Sequence, residues 1–366
     1  MAKKCYVGVN GVARKVTKIY VGVNNVARKV IKAYVGVGGV ARQWFPSELR
    51  YHGTATALSA ARMQLAATTV GGYALFGGGK TSLFGGNSSV VDAYNTSLTR
   101  TTATALSAAR GQLAATTVGS YALFGGGQTS SVVNAYNTSL TRSTPTSLSV
   151  SGYNHAATTV GSYALFGGMY SGSYSSVVNA YNTSLTRSTP TGLSAARSQL
   201  AATTVGNYAL FGGGYTGSYL STVDAYDTSL TRTTPTALST GRDSLAATTV
   251  GSYALFGGGS TAVSDGASAV VDAYNTSLTR TTATALSVAR KSLKATTVGD
   301  YALFGGGVKT DRSNVVDAYD TSLTRTIPTA LNSARYNLAA TTVGNYALFG
   351  GGYTSSASAI VDVYTA

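Results

Sequence analysis

A single cysteine, Cys5, has no partner for an intramolecular disulfide, so nothing implies folding in an oxidising compartment. The opening MAKKCYVGVN is positively charged but lacks the apolar stretch of a secretory signal peptide. No apolar run approaches the roughly 18 residues that a membrane-spanning helix needs, so no membrane insertion is expected. These absences predict a protein made and folded in a cytoplasm, which works outside only after lysis or as part of a particle. Charge is scarce too: Asp, Glu, Lys and Arg make up 11% of 366 residues, against about 25% in ordinary soluble chains. Gly, Ala, Ser, Thr and Tyr fill the gap, and a hydrophobic share of 44% suffices for a buried core.

Acids are absent where bases are densest. Residues 1–47 hold nine basic side chains and no acid, which leaves the rest of the chain only +6 of the net +15. Such asymmetry predicts a segment that docks on something acidic, or a small domain showing Lys and Arg to water. Within it Tyr6, Tyr20 and Tyr34 each begin YVGV, and Val-Ala-Arg recurs at Val12, Val26 and Val40, a period of 14 residues. Asn10-Gly11, Asn24-Asn25 and Gly38-Gly39 separate the halves and tolerate positive φ, so each unit predicts a β-hairpin with a two-residue turn. With so few large apolar groups, residues 1–46 are expected to be stabilised by self-association or by a partner.

A second repeat fills the rest. YALFGG occurs seven times, beginning at Tyr73, Tyr121, Tyr163, Tyr208, Tyr253, Tyr301 and Tyr346, at intervals of 42 to 48 residues. That period fits four short strands and their turns. In the unit from Ala201 the strands are AATTV, YALFGG, STVDAY and TRTTPTAL, and nothing has helical spacing. A paired glycine after a strand, then a strand ending in Asp-x-Tyr, then a polar turn resembles the kelch repeat over residues 48–366. The resemblance implies an all-β fold, a seven-bladed kelch-type β-propeller over residues 47–366. Kelch units usually carry a tryptophan in the fourth strand; here Leu230-Thr231-Arg232 and its equivalents stand there, and the leucine can fill the same inter-blade space. The final unit lacks a fourth strand, while Ser47–Leu58 is a fourth strand without a unit. The N-terminal strand is therefore expected to complete the last blade and remove both open edges.

Comparison of the seven units locates their variation. The strands are near copies. The loop after YALFGG changes (GKTSLFGGNSS from Gly79, MYSGSYSS from Met169, GYTGSYLS from Gly214, GSTAVSDGASA from Gly259), and so does the pair after the linking arginine, such as Met63-Gln64, Asp243-Ser244 and Lys291-Ser292. Strand alternation puts both segments on one face, the pattern of a binding surface on a rigid scaffold. Tyr170, Tyr174, Tyr215, Tyr219 and Tyr353 lie in these loops, and Tyr153 and Tyr336 in the links. Exposed tyrosines give contact area at low entropic cost and stack on sugar faces. The third link reads Ser151-Gly152-Tyr153-Asn154-His155 where others have Arg and Leu, which makes His155 a candidate local specificity residue.

Chemistry is not expected. Seven-bladed kelch propellers resemble galactose-oxidase-like copper enzymes, whose site needs His and Tyr ligands and a Cys–Tyr cross-link; this region has His52 and His155 and no cysteine. Sialidase-like propellers use arginine clusters and unlike acids, whereas Arg62, Arg110, Arg197, Arg242, Arg290 and Arg335, and Asp92, Asp224, Asp272, Asp317 and Asp362, recur once per blade as structural pairs would. No catalytic residue, metal or cofactor is expected. GGGKTS at 77–82 lacks the leading glycine and following helix of a phosphate loop. The Asn-Thr-Ser strings at Asn95, Asn137, Asn182 and Asn275 are read as turns.

Tandem YVGVN–VARKV hairpins ahead of a repetitive β domain resemble the N-terminal regions of tail-associated proteins of phages and prophages of Gram-positive bacteria. The resemblance implies a virion protein, made without a signal peptide. Residues 1–46 would attach it to other tail proteins, with Arg14, Lys15, Arg28, Lys29 and Arg42 as anchors. The propeller face would bind a host-surface glycan, and the protein would be a homo-oligomer or present in several copies on the particle. The alternatives are a head or neck decoration protein, and a cytoplasmic kelch scaffold whose basic segment binds nucleic acid.

Overall fold

A computed structural model of the chain describes residues 48–262 and 266–366, together with six strands nearer the N-terminus. Those strands pair as three separate antiparallel ladders, Tyr6–Val9 with Val12–Lys15, Tyr20–Val23 with Val26–Lys29, and Tyr34–Val37 with Val40–Gln43. In each, the last residue of one strand faces the first of the next (Val9 opposite Val12), the register that a two-residue turn enforces. The turn dipeptides, and the side chains of Arg14, Lys15, Arg28, Lys29 and Arg42, lie outside the described residues.

From Arg50 onward the chain forms seven four-stranded antiparallel sheets and no helix among the described residues. Blades are numbered here by their YALFGG strand. Blade 1 runs from its inner strand Ala66–Val70 through Tyr73–Gly77 and Val91–Asn95 to the outer strand Arg100–Ala103. The inner strands of successive blades lie side by side around an axial channel. Blade 7 takes its outer strand from Arg50–Ala55, which pairs with Val361–Thr365, so the expected closure holds; Ser47 lies outside the described residues. The fold is a closed seven-bladed β-propeller.

The repeat residues hold blade to blade. Val70, Leu75, Val91 and Ala93 of blade 1 pack against Ala122, Phe124 and Tyr136 of blade 2, and equivalent clusters recur at the other six interfaces. The phenylalanine explains the first glycine of the pair: a Cβ on Gly77 would sit 2.6 Å from the Phe124 ring. The second, Gly78, has φ +66°. Each third-strand tyrosine donates its hydroxyl to a link carbonyl of the preceding blade, as Tyr226 does to Thr191 O at 2.8 Å and Tyr94 to Thr56 O at 2.6 Å across the closure.

Three expectations of local structure change. The outer strand is shorter than TRTTPTAL. It spans four residues in blades 1 and 5, where Ala103 and Ala283 follow the threonines, but two in blades 2, 3, 4 and 6, where Pro145, Pro190, Pro235 and Pro328 replace the alanine. Proline has no N–H for the ladder, so pairing stops before it. The leucine expected in the fourth strand is in the turn before it: Leu230 has φ +63° and its half-buried side chain packs into the interface with blade 3. In blade 3 the expected loop at Met169 is instead a strand extension, Tyr163–Tyr170 pairing with Tyr174–Asn182 through a bulge beyond Gly167.

Candidate functional site on the variable face

The link arginines bind beneath the face and fix its geometry. Arg62, Arg197, Arg242, Arg290 and Arg335 are fully buried and pair with Asp92, Asp224, Asp272, Asp317 and Asp362 of the blade they enter, at 2.5–2.8 Å where Arg197, Arg242, Arg290 and Arg335 meet their partners. Arg242 also donates to Phe256 O of the second strand, at 3.0 Å. The other carboxylate oxygen takes a backbone N–H from the link, as Asp224 does from Ser194 at 3.1 Å. These pairs are structural, as their recurrence implies. Burial pulls the pKa of Arg62, Arg197, Arg242 and Arg290 down, and the carboxylate opposes it.

Two blades depart. In blade 2 Arg110 is buried against Asn134, at 2.9 Å, with no carboxylate; burial lowers its pKa to about 10. Blade 3 has Gly152 for the arginine, Asn179 for the aspartate, and Met169 where blade 1 has Gly79. Met169 is fully buried, and a Cβ on Gly152 would lie 3.1 Å from its sulfur. The methionine fills space that an arginine stem takes elsewhere.

After each link arginine, and after Gly152 in blade 3, come two residues with different duties. The second is always polar: Gln64, Gln112, Asn154, Gln199, Ser244, Ser292, Asn337. All seven have φ between 51° and 58°. In that conformation each N–H points at the carbonyl of its counterpart one blade back, from Gln112 N to Gln64 O (2.9 Å) round to Gln64 N to Asn337 O (2.8 Å), a closed ring of seven backbone hydrogen bonds. Half of the expected variable pair is thus structural; the recurrence of Asn, Gln and Ser was its sequence signal. At the other end of the inner strands threonine hydroxyls make a second belt, with Thr69 donating to Thr342 O and Thr342 to Thr297 O, both at 2.6 Å.

The first residue of each pair is the free one. In six blades it bridges to the loop after YALFGG, which folds back on itself, so the face carries short triplets: Met63–Lys80–Asn87, Tyr153–Tyr170–Tyr174, Ser198–Tyr215–Tyr219, Asp243–Ser260–Ala267, Lys291–Val308–Arg312 and Tyr336–Tyr353–Ala357. Both variable segments therefore reach one face, as strand alternation predicts. Tyr153, Tyr170, Tyr174, Tyr215 and Tyr219 form one continuous strip across blades 3 and 4, with successive ring centroids 5.8, 5.0, 6.1 and 5.1 Å apart. Tyr336 and Tyr353 form a separate pair at 5.5 Å in blade 7, with the Arg312 guanidinium 5.7 Å over Tyr353.

His155 does not join them. It takes the place of the leucine that packs under the link in every other blade, and only 7% of its surface is exposed. Its Nε2 lies 2.9 Å from Gly125 O, and burial pushes its pKa down to about 4. Asp243 and Lys291 belong to the variable links, but nothing in the chain signals that Asp243 is 7% exposed or that the cleft beside it contains Tyr219. Burial raises the Asp243 pKa to about 6, against a hydrogen bond from Ser244 and the charge of Lys291. That cleft has a volume of about 350 Å3. Phe84, in the blade 1 loop, is fully exposed. The channel mouth is lined by the polar ring and by Lys294, an alanine position in every other blade; enclosure by the wall lowers its pKa although solvent still reaches it. Among the described residues no group of three or more His, Cys, Asp or Glu side chains could hold a metal.

No protein-family model matches the chain, and no curated protein does. Among solved structures that of YjhT is similar, with a TM-score of 0.56 and 13% identity over 75% of this chain and 99% of its own. At that identity the likeness is one of fold alone: this chain shares the β-propeller with YjhT.

Proposed function

We propose that the protein is a particle-borne adhesin, a kelch-type propeller whose variable face binds a host-surface glycan and whose basic hairpins attach it to a phage tail. The observation that carries this reading is the concentration of blade-to-blade variation on one face, where five partly exposed tyrosines form an unbroken strip. Rigid aromatic contact area on a preorganised ring suits saccharide faces and loses little entropy on binding. Several copies on one particle convert weak sugar contacts into firm attachment. The paired glycines and Asp-x-Tyr strands, each with a packing reason in this chain, support the kelch assignment.

Two measurements test this. The full chain on an array of bacterial cell-wall and surface polysaccharides is expected to retain a restricted set; retention of none refutes the glycan reading. A reconstruction of the particle is expected to find the chain at the tail. Density on head or neck favours a decoration protein, and salt-sensitive retention of DNA by the full chain favours a nucleic-acid scaffold.

A further inference from the structure

The variable face is not uniform. Off the axial channel, a cleft lies where the tyrosine strip ends, between the Ser198–Tyr215–Tyr219 triplet of blade 4 and the Asp243–Ser260 bridge of blade 5, with Lys291 of blade 6 across it. Its volume of about 350 Å3 falls within the roughly 300–1,000 Å3 of ordinary ligand pockets. The walls are unlike each other. On one side Tyr215 and Tyr219, both partly exposed, meet edge to face at 5.1 Å and 63° and both line the cleft. On the other side is Asp243, the one acidic residue among the first link residues of the seven blades. It is almost fully buried, yet no buried arginine pairs with it; Arg242 beside it is already bound to Asp272.

We propose that this cleft is the primary saccharide pocket, taking one neutral hexose or N-acetylhexosamine that stacks on Tyr219 and donates a pair of vicinal hydroxyls to Asp243. This rests on the glycan-binding reading above and narrows it. A carboxylate accepts two hydroxyl donors at once, and it does so best where water is excluded, which is its situation here. Lys291 and the Gln199 amide supply donors to the remaining ring oxygens. The tyrosine strip leading away over blade 3 then offers a track for further sugar residues, so an extended chain is preferred to the monosaccharide.

The test uses the full chain and the glycan retained most strongly on the array, with the matching methyl hexoside and free N-acetylglucosamine as monosaccharide probes. Asp243→Asn and Tyr219→Ala are expected to weaken the polysaccharide at least 10-fold, and Ala262→Trp, which fills the cleft from its exposed rim, to abolish monosaccharide binding while the melting temperature stays unchanged. Ser277→Ala, in an exposed turn on the opposite face, is expected to bind as the parent does. If the parent binds and Ala262→Trp binds equally well, the pocket is elsewhere on the face and this inference is overturned while the adhesin reading stands. If the parent binds no saccharide at all, both fall. Loss of binding in Tyr336→Ala with the cleft variants unaffected would move the site to blade 7 and also overturn it.

Discussion

Blade 2 holds a buried cation without its counter-ion, and the rest of the ring shows what is missing. Arg110 has the same burial as the arginines of the aspartate blades but faces Asn134. The fall of its pKa from the ordinary arginine value to about 10 corresponds to roughly 3 kcal/mol of charge burial. Because the folded pKa is depressed, this loss applies in full below about pH 10 and disappears only as pH rises towards the ordinary arginine value. Asn134→Asp supplies the carboxylate to a position already surrounded by donors: Ser107 N–H at 3.2 Å, and the Ser107 and Thr144 hydroxyls that now contact the amide. It also frees the outer-strand Arg142, now on Ala105 O at 2.7 Å, to turn as Arg232 does towards Asp224. Desolvating the new carboxylate takes back part of the gain, so the net stabilisation at pH 7 is expected to be about 1–3 kcal/mol. For a domain of this size that is a rise in Tm of about 1–6 °C. The reciprocal change, Asp272→Asn, strands Arg242 and is expected to cost about 3–5 kcal/mol. Guanidinium unfolding followed by tyrosine fluorescence reads both. A destabilised Asn134→Asp, or an indifferent Asp272→Asn, would show that the pairs do not hold the blades and refute the reasoning.

His155 should make the ring acid-sensitive. Its folded pKa of about 4 lies below the ordinary 6.5, so the stability it permits above pH 6.5 is lost as pH falls towards 4, about 3 kcal/mol in all; His155→Leu, matching the other blades, is expected to flatten the Tm-against-pH curve over that span. Met169→Ala empties the space left by the missing arginine of blade 3 and is expected to cost about 2–5 kcal/mol in denaturant titration. Gly152→Arg alone meets Met169 and Tyr170 O and should destabilise, whereas the triple change Gly152→Arg, Met169→Gly, Asn179→Asp should recover most of the loss, a coupling that a mutant cycle measures. Tyr226→Phe removes one hydroxyl bond to the preceding blade and is expected to cost about 1 kcal/mol, the parallel change at Tyr274 the same.

Blade number, strand order, closure and the two-faced disc were all legible because each depends on the period of the repeat and on alternation along strands. Seven YALFGG strings and one orphan fourth strand admit a single closed arrangement. The length of the outer strand was not read, although its cause, Pro235 against Ala283, is plain in the chain. The site was half legible. Tyrosines in loops predict a tyrosine-bearing face, but whether Tyr174 meets Tyr215 depends on how two loops of different length lean, which no pattern within either loop encodes. The links align His155 with the leucine of the other blades, but a histidine in a changed link reads as a specificity group on the surface, whereas the structure buries it against Gly125 O. Asp243 was hidden for the same reason, since an acidic residue in a variable link is expected to face water.

The interfaces have a consequence for how such a chain can change over generations. Each blade presents the same left flank and the same right flank, so any blade can stand beside nearly any other. The order of blades is therefore free to be shuffled by exchange between the repeats of one gene, or of two, provided that the total remains seven. Each reordering would bring different triplets together and so redraw the surface map without touching a packed residue. Blade 3 limits this freedom, because its His155 reaches Gly125 of blade 2 and its arginine, glycine and aspartate positions have changed as a set. It can travel only whole, like a cassette.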